Sequence, residues 1–219
     1  MRFNLIENPI MRALGRLCDF MILNVLFIIC SIPIFTIGAS ITAMYTVMLK
    51  LVKNEEGYIF KGFLLAFKEN FKKSTILWLM YAPLGLIILL NIHLTQFMDV
   101  EILQTVLMVI FVMMGAILVF MGLYLFPMTA RYENTIKVNI KNALLLSIGK
   151  LPYTILLLII HAAAIVITLL TLETIIIGTI IWIFVGFALV AWLSAKVLRK
   201  VFEVIDPKEE EEKSPMDEV

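Results

Sequence analysis

Apolar residues run along this chain in stretches too long for strands and too uniform for one-sided surface helices. Five stretches stand out, at 20–49, 74–91, 102–126, 152–170 and 174–195. Each approaches or exceeds the roughly 20 residues that cross a bilayer as a helix. The pattern predicts an all-α protein, a polytopic transmembrane helical bundle of about five spans. Residues 1–200 form one domain in this reading, and 201–219, from which Glu203 to Lys213 is rich in acid, form a tail expected to be disordered in the cytoplasm.

The first stretch is awkward. Phe20 to Leu49 carries no charge and would measure about 45 Å as one helix, while two crossings of the hydrocarbon core need about 60 Å plus a turn. Pro33 and Gly38 predict a kink or break inside it. The run is too long for a signal peptide and is followed by Lys50 and Lys53, so it reads as an uncleaved span. Pro83 lies inside the second run, Pro127 closes the third, and Pro152 suits the first turn of the fourth. Only Thr171–Thr174 separates the fourth and fifth, which predicts a tight antiparallel hairpin.

Composition agrees with a lipid solvent. Hydrophobic residues make up 62% and charged residues 16%, with a mean hydropathy of +1.01; a soluble domain carries roughly a quarter charged residues. The net charge of +1 hides an asymmetry. Lysines and arginines crowd into 50–73, 131–150 and 196–213, whereas 92–101 and 171–173 have none and carry Asp99, Glu101 and Glu173. The basic segments should face the cytoplasm, with the C-terminus, as in a bacterial plasma-membrane protein. Arg2, Arg12 and Arg16 disagree, because a single first crossing places them outside. A re-entrant first segment, turning at Pro33–Gly38, would return them to the inside.

Self-comparison favours the single crossing. Thr42-Ala43-Met44-Tyr45 and Thr129-Ala130-Arg131-Tyr132 each end a span and precede a basic amphipathic stretch and another span. The offset between the copies falls from 87 to 80, so the first copy has about seven extra residues, placed near Asn54–Tyr58. The two copies form an internal parallel repeat about an axis along the membrane normal. Similar boundary positions would also converge in composition without a repeat.

In 58–73, Phe60, Phe63, Phe67 and Phe71 recur at helical spacing, with Lys61 and Lys68 mostly opposite. This predicts an amphipathic interfacial helix, a membrane-surface connector or a docking face for a partner. Segments 136–148 and 8–19 are weaker candidates of the same kind.

Chemistry is sparse. No acidic residue falls inside a span, which argues against a carrier with a buried carboxylate. His161 is a titratable group near the middle of the fourth span; a neutral imidazole bonded to a neighbouring helix is its blander reading. Asn24, Thr36 and Thr42 are further intramembrane polar candidates, and Asn91 ends the second span. Cys18 and Cys30, twelve residues apart, cannot bridge within one helix. Neither metal-ligand spacing nor a nucleophile motif occurs, so no cofactor, metal, catalytic residue or nucleic-acid partner is expected.

Phe3-Asn4, Asn8-Pro9-Ile10-Met11-Arg12, the block Pro33-Ile-Phe-Thr36-Ile-Gly38-Ala39, Thr42-Ala43-x-Tyr45 and Gly57-Tyr-Ile-Phe60, followed by Phe63 to Phe71, resemble the YesL-like family of bacterial membrane proteins. The similarity is densest over residues 3–75 and looser through Ala130–Tyr132 and Leu151–Thr154. The resemblance implies a plasma-membrane protein whose relatives are often associated with carbohydrate uptake, including binding-protein-dependent sugar transporters. It carries over no catalytic residue. The expectation is therefore a non-enzymatic accessory of a carbohydrate uptake system, with the bilayer and transporter subunits as partners. The alternative is a small-solute transporter acting as a homo-oligomer.

Overall fold

In the computed structural model, residues 9–55 and 57–205 are described. They form helices α1 (Pro9–Ser31), α2 (Ile37–Val52), α3 (Ile59–Thr95), α4 (Glu101–Arg131), α5 (Ile136–Gly149), α6 (Leu151–Leu169), α7 (Leu172–Ile181) and α8 (Phe187–Ile205). A 3₁₀ turn, Ile34–Thr36, leads into α2, and a π turn, Trp182–Gly186, joins α7 to α8. No strand occurs among the described residues. Among the described residues, six helical segments are long and apolar enough to cross a membrane: Leu14–Ser31, Ile34–Val52, Ile59–Thr95, Glu101–Arg131, Leu151–Leu169 and Leu172–Ile205.

The stretch read as one crossing is two helices. They run antiparallel, because Arg16 near the start of α1 donates to the side-chain oxygen of Asn54 just beyond the end of α2, at 3.4 Å. The missing length lies upstream of Phe20: α1 starts at Pro9 and carries Arg16 and Asp19 within its first turns, where side chains can reach headgroup depth.

Antiparallel contacts continue around the bundle. Gly38 of α2 meets Ser74 and Trp78 of α3, while Gly62 of α3 faces Val47 of α2. Tyr81 of α3 donates to the Leu118 carbonyl of α4 at 3.2 Å, and Gly115 of α4 meets Ile88 of α3. Phe20 packs on Trp192, and Phe27 on Phe187, so α8 runs against α1. Arg199 of α8 donates to the Val52 carbonyl of α2 at 3.1 Å, so these two helices end together.

All described lysines and arginines consequently gather at one end of the bundle, the basic end. Arg12 and Arg16, at the start of α1, share it with Lys50, Lys53 and Lys61. Asp99, Glu101 and Glu173 lie at the opposite end. The conflict posed by the N-terminal arginines disappears once the first stretch crosses twice; Arg2 lies outside the described residues.

Helix α2 is the centre. Its small residues Ala39, Ser40, Thr42 and Ala43 have no exposed surface, and small side chains let helix backbones approach closely in lipid, where packing rather than the hydrophobic effect drives association. Large apolar side chains elsewhere face outward, among them Leu86, Leu89, Ile102 and Ile167. Lipid would cover them.

Several boundaries differ from expectation. The amphipathic segment 58–73 is not a separate surface helix but the opening turns of the 37-residue α3, since nothing between Lys73 and Ser74 interrupts the backbone ladder. Segment 8–19 likewise merges into α1. Pro127 lies inside α4, which continues to Arg131. In the second copy the break does occur, at Lys150, because Pro152 has no N–H to continue the ladder of α5. The seven extra residues of the first copy are helix rather than loop: α2 runs on from Tyr45 to Val52, while α4 stops at Arg131. The tail also begins later than 201, because Val201 and Phe202 are fully buried on α8; residues 206–219 lie outside those described.

Candidate functional site

Asn24 sits on the face of α1 that meets α8 and has no exposed surface. Its amide donates to the carbonyls of Trp182 (2.9 Å) and Ile183 (2.7 Å), and its oxygen accepts the N–H of Ala188 at 3.0 Å. A π turn shifts the helical ladder by one residue and strands backbone groups at its ends. Asn24 meets three of them at once. The turn is braced from α6 as well, because Trp182 Nε1 donates to Thr168 Oγ1 at 2.9 Å.

Pro33, Thr36, Gly38 and Ala39 form the turn between α1 and α2 and its first helical contact. The Thr36 hydroxyl lies 2.6 Å from the carbonyls of both Cys30 and Pro33, a shared bond that closes the 3₁₀ turn. Gly38 lets α2 touch α3: a Cβ there would stand 2.5 Å from the Ser74 carbonyl oxygen and 2.5 Å from Trp78 Cβ. One turn on, Thr42 donates to the Gly38 carbonyl (2.9 Å) and accepts from Ser74 (2.8 Å).

The second Thr-Ala-x-Tyr segment repeats this device. Thr129 donates to the Leu125 carbonyl four residues back (2.8 Å) and accepts from Asn139 Nδ2 on the following helix (2.9 Å). Nearby, Tyr124 and Thr154 share a 2.9 Å bond between α4 and α6. Both copies thus tie a threonine of one helix to the element that follows it.

His161 is half-buried on α6, and its Nδ1 donates to the Leu157 carbonyl of its own helix at 2.9 Å. The bond runs along α6 rather than to a neighbouring helix. A carbonyl only accepts, so this bond requires a proton on Nδ1. His161 does not join Asn24, Thr36 or Thr42 in a common network.

The 59–73 face is divided. Phe63 is fully buried and Phe67 half-buried, stacked at 6.2 Å between ring centres, so they belong to the core. Phe60, Lys61, Lys68 and Phe71 remain exposed. Other cations at this end lie on aromatic rings: Lys196 Nζ is 3.4 Å from the centre of Trp192, and Arg131 stands over Phe202 at 5.2 Å.

Sequence reasoning missed Ser74, Asn139, Thr154 and Trp182. Isolated hydroxyls and an indole carry no pattern of their own, although Ser74 and Thr154 hold matching positions in the offset-80 alignment.

A family model described as "Protein of unknown function, DUF624" matches residues 20–92. The "Uncharacterized protein YesL" of Bacillus subtilis (strain 168) is 26% identical over 200 residues, which covers 91% of this chain and 90% of that protein. The chain is similar to this YesL-like family of unknown function. No solved structure matches it. The segment matched by the family model takes in about half of α1, the Pro33–Ala39 turn, α2 and nearly all of α3. In this chain, those elements carry the close α2–α3 approach at Gly38 and the Thr42–Ser74 bond.

Proposed function

We propose that this protein is a non-enzymatic, multi-pass component of the bacterial plasma membrane, accessory to a carbohydrate uptake system, that meets its partner at the basic end. The observation that carries the reading is α3. Its 37 residues span about 55 Å, against roughly 30 Å of hydrocarbon, so its opening turns project beyond the bilayer with Phe60, Lys61 and Lys68 uncovered. The charge asymmetry supports a cytoplasmic basic end, with the C-terminus on that side. The carbohydrate link draws on the family resemblance.

Copurification of sugar-transporter subunits in gentle detergent, weakened by Phe60→Ser with Lys61→Gln and Lys68→Gln, is the expected result. No such partner, together with unchanged sugar uptake in a deletion strain, would sink the reading.

The second reading, a small-solute transporter acting as an oligomer, draws on the π turn beside Asn24, because such turns often mark functional sites. Protein in liposomes would then move a sugar, and Asn24→Ala or His161→Ala would alter the rate. Liposomes no more permeable than protein-free controls would dismiss it.

A further inference from the structure

A cleft of about 680 Å³ opens at the basic end between the start of α1, the end of α2 and the start of α3. We propose that it binds a phosphate-bearing anionic headgroup. This inference rests on neither functional reading above.

Its walls bring three cations from three elements: Arg16 of α1, Lys50 of α2 and Lys61 of α3. Asp19 and Glu55 also line it, so among the described lining residues three cations stand beside two carboxylates. That combination suits a phosphate carried next to hydroxyl or ammonium donors. Val47, Leu51, Ile59 and Leu65 supply apolar surface. A wholly water-soluble ligand has no use for that surface, whereas the first carbons of an acyl chain do. The volume lies within the usual range for small-molecule sites, roughly 300–1,000 Å³.

Depth points the same way. Arg16 and Lys50 lie near the ends of α1 and α2, two helices long and apolar enough to cross a membrane. Basic pockets between helices at this level are where anionic headgroups bind. Tyr58, 87% exposed at the rim, is an interfacial residue type.

The walls are also fixed by local structure. Asn54 N–H donates to the Leu51 carbonyl (3.2 Å) and Glu55 N–H to the Lys50 carbonyl (3.1 Å), a Schellman closure of α2. The closure needs a left-handed residue after the helix, and Asn54 takes that conformation at φ +56°. Its side chain then receives Arg16 Nη2. The cap that ends α2 therefore also holds one of the three cations.

The test uses purified full-length protein and three probes: dioctanoyl phosphatidylglycerol, dioctanoyl phosphatidylcholine and glycerol 3-phosphate. Binding is followed by native mass spectrometry and by the shift in unfolding temperature. Saturable binding of the phosphatidylglycerol is expected, about fivefold weaker in Lys61→Gln and roughly a hundredfold weaker when Arg16, Lys50 and Lys61 are all glutamine. Lys141→Gln, on the exposed surface of α5, should leave it unchanged. Glycerol 3-phosphate binding as tightly, with the same dependence on the three cations, would support the phosphate chemistry and identify a soluble source. Equal binding of phosphatidylcholine, or equal losses in Lys61→Gln and Lys141→Gln, would overturn the proposal. Lys61 is exposed, so that comparison stands even if the triple variant fails to fold.

Discussion

The backbone N–H of Ala188 donates to the side-chain oxygen of Asn24, 164 residues away, at 3.0 Å. With the two bonds from the Asn24 amide to Trp182 and Ile183, one side chain on α1 repairs the helical defect between α7 and α8. The first and last crossings are thereby joined through backbone groups that lipid could not satisfy.

Asn24→Ala should therefore cost about 1–3 kcal/mol of stability, because it strands buried polar groups in an apolar setting. Asn91→Ala should cost little, since the Asn91 side-chain amide donates to the Ile87 carbonyl of its own helix. Denaturant unfolding of the two purified variants makes the comparison. Equal losses would show that Asn24 is not acting as a tie between helices.

Gly38→Ala pushes a methyl group into the α3 backbone at Ser74. The helices must separate, and the expected loss is about 1–3 kcal/mol. Gly62→Ala is the control: its Cβ would meet Val47 at an ordinary 3.8 Å, so it should be neutral or slightly stabilising. Thermal unfolding of both variants reads the difference.

The repeat makes a quantitative claim. Double-mutant cycles on Thr42 with Ser74, and on Thr129 with Asn139, should both give favourable coupling near 0.6 kcal/mol and no more than about 1.7. Coupling in one pair alone would mean that the two Thr-Ala-x-Tyr segments resemble each other only because they meet the same boundary.

Much of this architecture is legible in the residues, and the exceptions have physical causes. Runs such as 102–126 and 152–170 announce themselves because lipid demands uninterrupted apolar surface. The α1–α2 hairpin shows only as the re-entrant alternative turning at Pro33–Gly38. Counting its apolar length from Phe20 omits the turns of α1 that carry Arg16 and Asp19, and α2 is built from small residues that look like a kink zone. Those same small residues are why α2 can be the central helix. The surface face at 59–73 was legible as amphipathic, but periodicity cannot say whether an apolar stripe meets lipid or protein; Phe63 meets protein. The partners of Asn24 were not legible at all, because they are backbone groups exposed by a π turn that no side-chain pattern encodes.

Six crossings, with the start of α1 and the end of α8 at the same face, is the central claim. In a cysteine-free background, Met11→Cys, Asp99→Cys and Val204→Cys can each be probed in intact cells with a thiol reagent that does not cross membranes. The predicted result is labelling of Asp99→Cys, with Met11→Cys and Val204→Cys both protected until the membrane is permeabilised. Labelling of Met11→Cys together with Asp99→Cys, while Val204→Cys stays protected, would contradict it and restore a single first crossing.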